Sequence, residues 1–159
     1  MRFVALLLLS ATTAFAGGVD QEKLVSVACA RWNVPQKLVL AIIARESGHH
    51  PWAVNVAGRA HLPSSRDEAL RIANAAWAAG KSFDLGLMQI NSYWLKRFGF
   101  SPEYVLEPRR NVIIGTWILS REIARHGLSW KAVAGYHTPD AERGKRYAVS
   151  ILKHLRGMK

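Results

Sequence analysis

The chain has 159 residues, half of them hydrophobic, and a formal net charge of +11 from 22 Lys and Arg against 11 Asp and Glu. That length serves one domain with a single modest core and excludes two independent ones. A single cysteine, Cys29, excludes an intramolecular disulfide, and the basic excess favours a polyanionic partner.

Residues 1–16 read as a signal peptide, with Arg2 as the charged start, an apolar run from Phe3 to Leu9, and Ala14-Phe15-Ala16 as the cleavage region before Gly17-Gly18. The run is too short to span a bilayer as a stable helix, so the expectation is export with no membrane anchor after cleavage; an uncleaved anchor is the alternative. For an exported protein the polyanions are wall and membrane surfaces rather than nucleic acid. The basic residues, among them Arg109, Arg110, Arg121, Arg125, Lys145 and Arg146, are scattered as on solvated helix faces.

Residues 17–159 read as one domain built from successive helices, with no alternating strand pattern longer than a few residues. The first helix spans about Asp20 to Trp32 and ends at Asn33, with Cys29 as a buried, inert thiol in an apolar stretch. Pro35 opens the second, Leu38, Val39, Ile42 and Ile43 follow its spacing, and Gly48 stops it. Ala57 to Ser64 reads as a loop. Ser65 and Glu68 have the form of a capping box for a helix that Gly80 ends. A tight turn at Asp84 and Gly86 opens a segment, Leu87 to Phe98, that reads as helical. Ser101-Pro102 starts a short helix, Pro108 a long one to about His126, Ser129 one through about Gly135, and Asp140 or Ala141 the last, to about Leu155. The fold class is therefore all-α, a single globular domain whose clefts lie between packed helices.

Within this frame Glu46 stands out. It falls in the last turn of the second helix, on the side of Val39, Ile42 and Ile43. Burial and the negative end of the helix both raise a carboxyl pKa, as a general acid requires. Periodicity alone leaves a salt-bridged structural glutamate equally open. His49, His50 and His61 lack the carboxylate or cysteine spacing of a metal site, so no metal is expected. Trp52, Trp77, Trp94, Trp117 and Trp130 read as core or groove-lining aromatics.

Glu46-Ser47-Gly48, then Pro51, Ala53 and Asn55, then Asp84-Leu85-Gly86-Leu87-Met88-Gln89-Ile90-Asn91, and finally Ala134-Gly135-Tyr136 resemble the lytic transglycosylases of the lysozyme-like superfamily, relatives of goose-type lysozyme. The similarity is strongest to the small members that accompany type III and type IV secretion and conjugation. It implies a lysozyme-like domain with a substrate groove between helices, peptidoglycan glycan strands as substrate, no cofactor, a monomer working in the periplasm, and secretion or conjugation machinery as a partner. It assigns Glu46 the acid/base role and places Ser47, Met88, Gln89, Asn91 and Tyr136 at the substrate groove, Tyr136 beside the glutamate. Asp84, the nearest second carboxylate by motif position, reads as structural. Two departures stand out. His137 replaces the family's usual Asn after the tyrosine, and Arg109-Arg110 occupy the place where many members carry a second cysteine. The implied chemistry is cleavage of the bond between N-acetylmuramic acid and N-acetylglucosamine with closure of a 1,6-anhydro ring. A hydrolytic muramidase on the same fold and a non-cutting peptidoglycan scaffold are the rival readings.

Overall fold

The computed structural model describes residues 20–158. The expected signal peptide at 1–16 and the junction at 17 lie outside the described residues. Eight helices and four short strands follow in the order α1 (Gln21–Trp32), α2 (Gln36–Ser47), β1 (Val54–Val56), β2 (Arg59–His61), α3 (Arg66–Ala78), β3 (Phe83–Leu85), β4 (Ile90–Asn91), α4 (Ser92–Phe98), α5 (Pro102–Leu106), α6 (Pro108–His126), α7 (Trp130–His137) and α8 (Ala141–Gly157).

The helix ends follow local chemistry. Asp20 caps α1 through the N–H groups of Glu22 and Lys23, and Asn33 closes it in the left-handed conformation. Gly48 closes α2 the same way. Ser65 caps α3 by accepting from the Glu68 N–H, while the Glu68 carboxylate reaches back to the N–H and hydroxyl of Ser64, one residue earlier than in a standard capping box. Glu107, Ser129 and Asp140 cap α6, α7 and α8.

The chain is mainly helical, as expected, but two segments differ from their expected form. Ala57 to Ser64 holds β2, and only Ser92–Phe98 of the Leu87–Phe98 segment is helix. The strands form an antiparallel sheet in the order β2-β1-β3-β4, with Asn55 opposite Ala60 and Asp84, and Asp84 opposite Asn91. Each strand has two or three residues, too few for alternation to register.

Helices α1, α2, α6, α7 and α8 pack together, while α3, α4 and α5 gather around the sheet, and α6 touches both groups. One continuous core joins them, with Val39, Ile42 and Ile43 of α2, Phe83 and Leu85 of β3, Leu119 of α6 and Ile151 of α8 all fully buried. Cys29 is buried in it, and desolvation pushes its thiol up to about 11, which keeps it protonated and unreactive. Trp52, Trp77, Trp94 and Trp117 pack against this core, whereas Trp130 is half-exposed. Among the described residues no helix is long and apolar enough to cross a membrane.

Candidate active site

Glu46 sits one residue before the end of α2, where the chain turns at Gly48 towards the sheet. Its side chain is 12% exposed, and Oε1 is buried with no hydrogen-bond partner among the described residues. Desolvation raises its pKa to about 7, and Asp84 adds to the rise; the Tyr147 hydroxyl and the Arg45 guanidinium oppose it. Tyr147 lies close enough to favour the ionised carboxylate, yet its own hydroxyl also lacks a formed hydrogen bond. The carboxyl therefore carries an exchangeable proton near neutral pH in a pocket that stabilises neither state fully.

The β3–β4 connection, Gly86 to Gln89, forms a turn beside this carboxyl. Gly86 has φ +74°, and a Cβ there would lie 2.4 Å from the Asn111 amide nitrogen. Asn111, fully buried in α6, accepts from the Met88 N–H at 2.8 Å and donates to the carbonyls of Leu85 at 2.8 Å and Val105 at 3.0 Å. Gly115, one helical turn further, leaves room for the Met88 thioether, which a Cβ would meet at 2.5 Å. Two small or polar residues of α6 thus clamp the turn by its backbone and by the Met88 side chain, one of its two buried side chains.

The residues expected at the groove take different positions. Met88 is wholly buried, so its side chain supports the turn from beneath and does not face a substrate. Ser47 is also buried, and its hydroxyl donates back to the Ile43 carbonyl at 3.1 Å, which secures the last turn of α2. Gln89, at φ +47°, donates its amide to the carbonyls of Ala53 and Gly86, leaving its amide oxygen as the group free to accept. Asn91 donates to Asp84 at 2.7 Å and to Ser82, and its oxygen caps α4 through the Tyr93 N–H, so both ends of this amide hold structure. Tyr136 donates to the Met88 carbonyl at 2.7 Å and not to Glu46.

Asp84 is held by Asn91 across the β3–β4 pair, and burial raises its pKa. His49 bonds Gln21 and the His50 ring accepts from the Trp52 N–H. Sequence reasoning assigned no role to Tyr147 or to the clamping pair Asn111 and Gly115. Tyr147 carried a signal, since Gly144, Tyr147, Ala148 and Ile151 mark the buried stripe of α8 at helical spacing. His137 is partly exposed, its Nδ1 3.9 Å from Glu46 Oε1 and its ring stacked on Tyr147 at 4.4 Å.

A mostly buried carboxyl whose pKa is raised to about 7, with tyrosines nearby, suits acid/base work. Comparison with known proteins identifies the family. Residues 23–149 match the transglycosylase SLT domain. The chain is 32% identical over 165 aligned positions to Invasion protein IagB of Salmonella typhi, covering 98% of this chain and 86% of that protein. It is 37% identical over 93 positions to Type IV secretion system protein virB1 of Brucella suis biovar 1, covering 57% of this chain and 39% of that one. Over 129 positions it is 28% identical to Protein IpgF of Shigella sonnei, covering 79% and 71%. The chain belongs to the transglycosylase SLT domain family and is a peptidoglycan lytic transglycosylase.

Proposed function

We propose that the enzyme cleaves the bond between N-acetylmuramic acid and N-acetylglucosamine in the periplasm, with Glu46 as both acid and base, and leaves 1,6-anhydro ends. The observation that carries this reading is the buried Oε1 of Glu46, unpartnered and on a carboxyl whose pKa is raised to about 7. A protonated carboxyl hands its proton to the glycosidic oxygen as the bond from that oxygen to C1 of the muramic residue breaks. The substrate's own N-acetyl group stabilises the cation at C1, which is how one carboxylate serves where two are usual. Glu46, now ionised, takes the proton of the C6 hydroxyl, and that oxygen bonds to C1 to close the ring. The acid form is restored and no water is consumed.

Asp84 supports this reading by what it is doing instead. Its carboxylate accepts from Asn91 across the sheet, the role of a structural anchor. Gln89 contributes a free amide oxygen at the turn, suited to the N–H or hydroxyl groups of the sugars. The likeness to Invasion protein IagB and to a type IV secretion protein favours local wall opening for a secretion or conjugation apparatus as the setting.

Mass spectrometry of muropeptides released by the wild type and by Glu46→Gln tests the chemistry. Anhydro ends from the wild type and no release by the variant are expected. Products heavier by one water would make the enzyme a hydrolase, and equal release by both proteins would remove Glu46 from the reaction.

A further inference from the structure

The carboxyl of Glu46 must change charge twice in one turnover if it serves as acid and then base, and the inference that follows rests on that reading. While protonated, a buried carboxyl needs little from its surroundings. Once ionised it needs a hydrogen-bond donor, because an unpaired buried charge is strongly disfavoured. Oε1 has no such donor in the structure.

The groups that face it narrow the choice. From α2 comes Arg45, from β3 Asp84, from α7 Tyr136 and His137, and from α8 Arg143 and Tyr147. Asp84 is an acceptor, and the Tyr136 hydroxyl already donates its hydrogen bond to the Met88 carbonyl. Arg45 and Arg143 act on the pocket through their charge, and Arg143 forms an ion pair with Asp140. Tyr147 already favours the carboxylate through its hydroxyl, which leaves His137 as the further donor that could reach Oε1, and the two rings are parallel within 5° with centroids 4.4 Å apart. The stack fixes the plane of the imidazole and leaves its Nδ1 3.9 Å from Oε1. That separation is longer than a hydrogen bond, and closure by roughly 1 Å would make one.

We infer that His137 is a positioning residue for Glu46: in the Nδ1–H tautomer it donates a hydrogen bond to Oε1 when the carboxyl has released its proton, and withdraws when the proton returns. The imidazole keeps its own proton throughout, so the only proton that moves belongs to the substrate and Glu46. It acts as a neutral donor, since burial and the charges of Arg45 and Arg143 lower its pKa. A neutral donor steadies the carboxylate without trapping it, whereas a full positive charge would hold Glu46 ionised and remove the acid.

The full chain labelled at glutamate carboxyl carbons permits a direct test, comparing wild type, His137→Phe and His137→Asn. Phenylalanine keeps the stack on Tyr147 and removes the donor; asparagine restores an N–H near the place of Nδ1 and does not titrate. In His137→Phe the carboxyl titration of Glu46 is expected to move to higher pH, with kcat on a soluble glycan about tenfold lower at unchanged KM, the loss of one hydrogen bond to a charge. His137→Asn is expected to return both towards wild type. An unchanged Glu46 titration and kcat in His137→Phe would overturn the inference, as would a His137→Asn variant as impaired as His137→Phe. Glu46→Gln assayed alongside separates the two levels: if it still cleaves, the acid/base reading fails, while the titration continues to report whether His137 bonds the carboxylate.

Discussion

The Tyr136 hydroxyl donates to the Met88 carbonyl at 2.7 Å, so α7 is tied directly to the β3–β4 turn across the pocket that holds Glu46. The tie joins residues 48 apart in sequence. Tyr136→Phe keeps the ring and removes the bond, leaving the carbonyl of the buried Met88 without that partner. It should lower unfolding free energy by about 1–2 kcal/mol in a urea titration. Glycan cleavage should fall by a larger factor than that loss of stability explains at low temperature.

The clamp from α6 should be far less tolerant. Asn111→Ala removes three hydrogen bonds and strands the Met88 N–H and the Leu85 carbonyl in the core. A cost on the order of 3–5 kcal/mol follows, enough to unfold a substantial fraction of a marginally stable domain. Gly86→Ala should be destabilising by an independent route, since it combines a left-handed backbone with a contact at 2.4 Å to Asn111. The double variant should be less destabilised than the sum, because removing the Asn111 side chain relieves the contact. Thermal melts of the three proteins measure this coupling.

Glu46 is held in the fold at the expense of stability. A carboxyl whose pKa is raised from 4.5 to about 7 binds more protons when folded than unfolded, so its contribution to stability is favourable at low pH and is lost as pH rises through that interval. Glu46→Gln never ionises. It should match the wild type near pH 4 and exceed it at pH 8, by up to about 3 kcal/mol. Chemical denaturation at the two pH values checks the sign, and an equal difference at both would contradict it.

Activity should follow the same titration in the opposite sense to a general base. In the proposed reaction the first step needs the protonated carboxyl, so turnover should decline above about pH 7, where Glu46 is mostly ionised. A rate profile still rising through pH 8 would place the essential proton elsewhere. High salt should depress the rate on intact wall at every pH, since the net charge of +11 draws the enzyme to an anionic polymer.

Most helix ends were legible because they fall on residues with a local reason to be there: Asp20, Ser65, Ser101, Ser129 and Asp140 as caps, Gly48 and Gly99 as left-handed stops. The sheet was not. The β1–β2 turn places Ala57 at φ +50° and Gly58 at φ +87°, and alanine is a poor advertisement for a position that favours Asn, Asp or Gly. Leu87 to Asn91 read as the start of a helix because its apolar residues fit that period, yet they are buried by a turn wrapped against Asn111 and Gly115, a long-range arrangement with no local signature. At the site, the raised pKa of Glu46 followed from its helix face, and that placement held. What its neighbours do with their polar atoms did not follow, because a motif names Met88, Asn91 and Tyr136 without saying which of their groups are spent on the fold.

Cys29 has a consequence beyond its packing. With one thiol, buried and held protonated, every covalent bond in the finished fold is already present in the nascent chain. Reductant has nothing to break and oxidant has nothing to make, so refolding should proceed at the same rate in either.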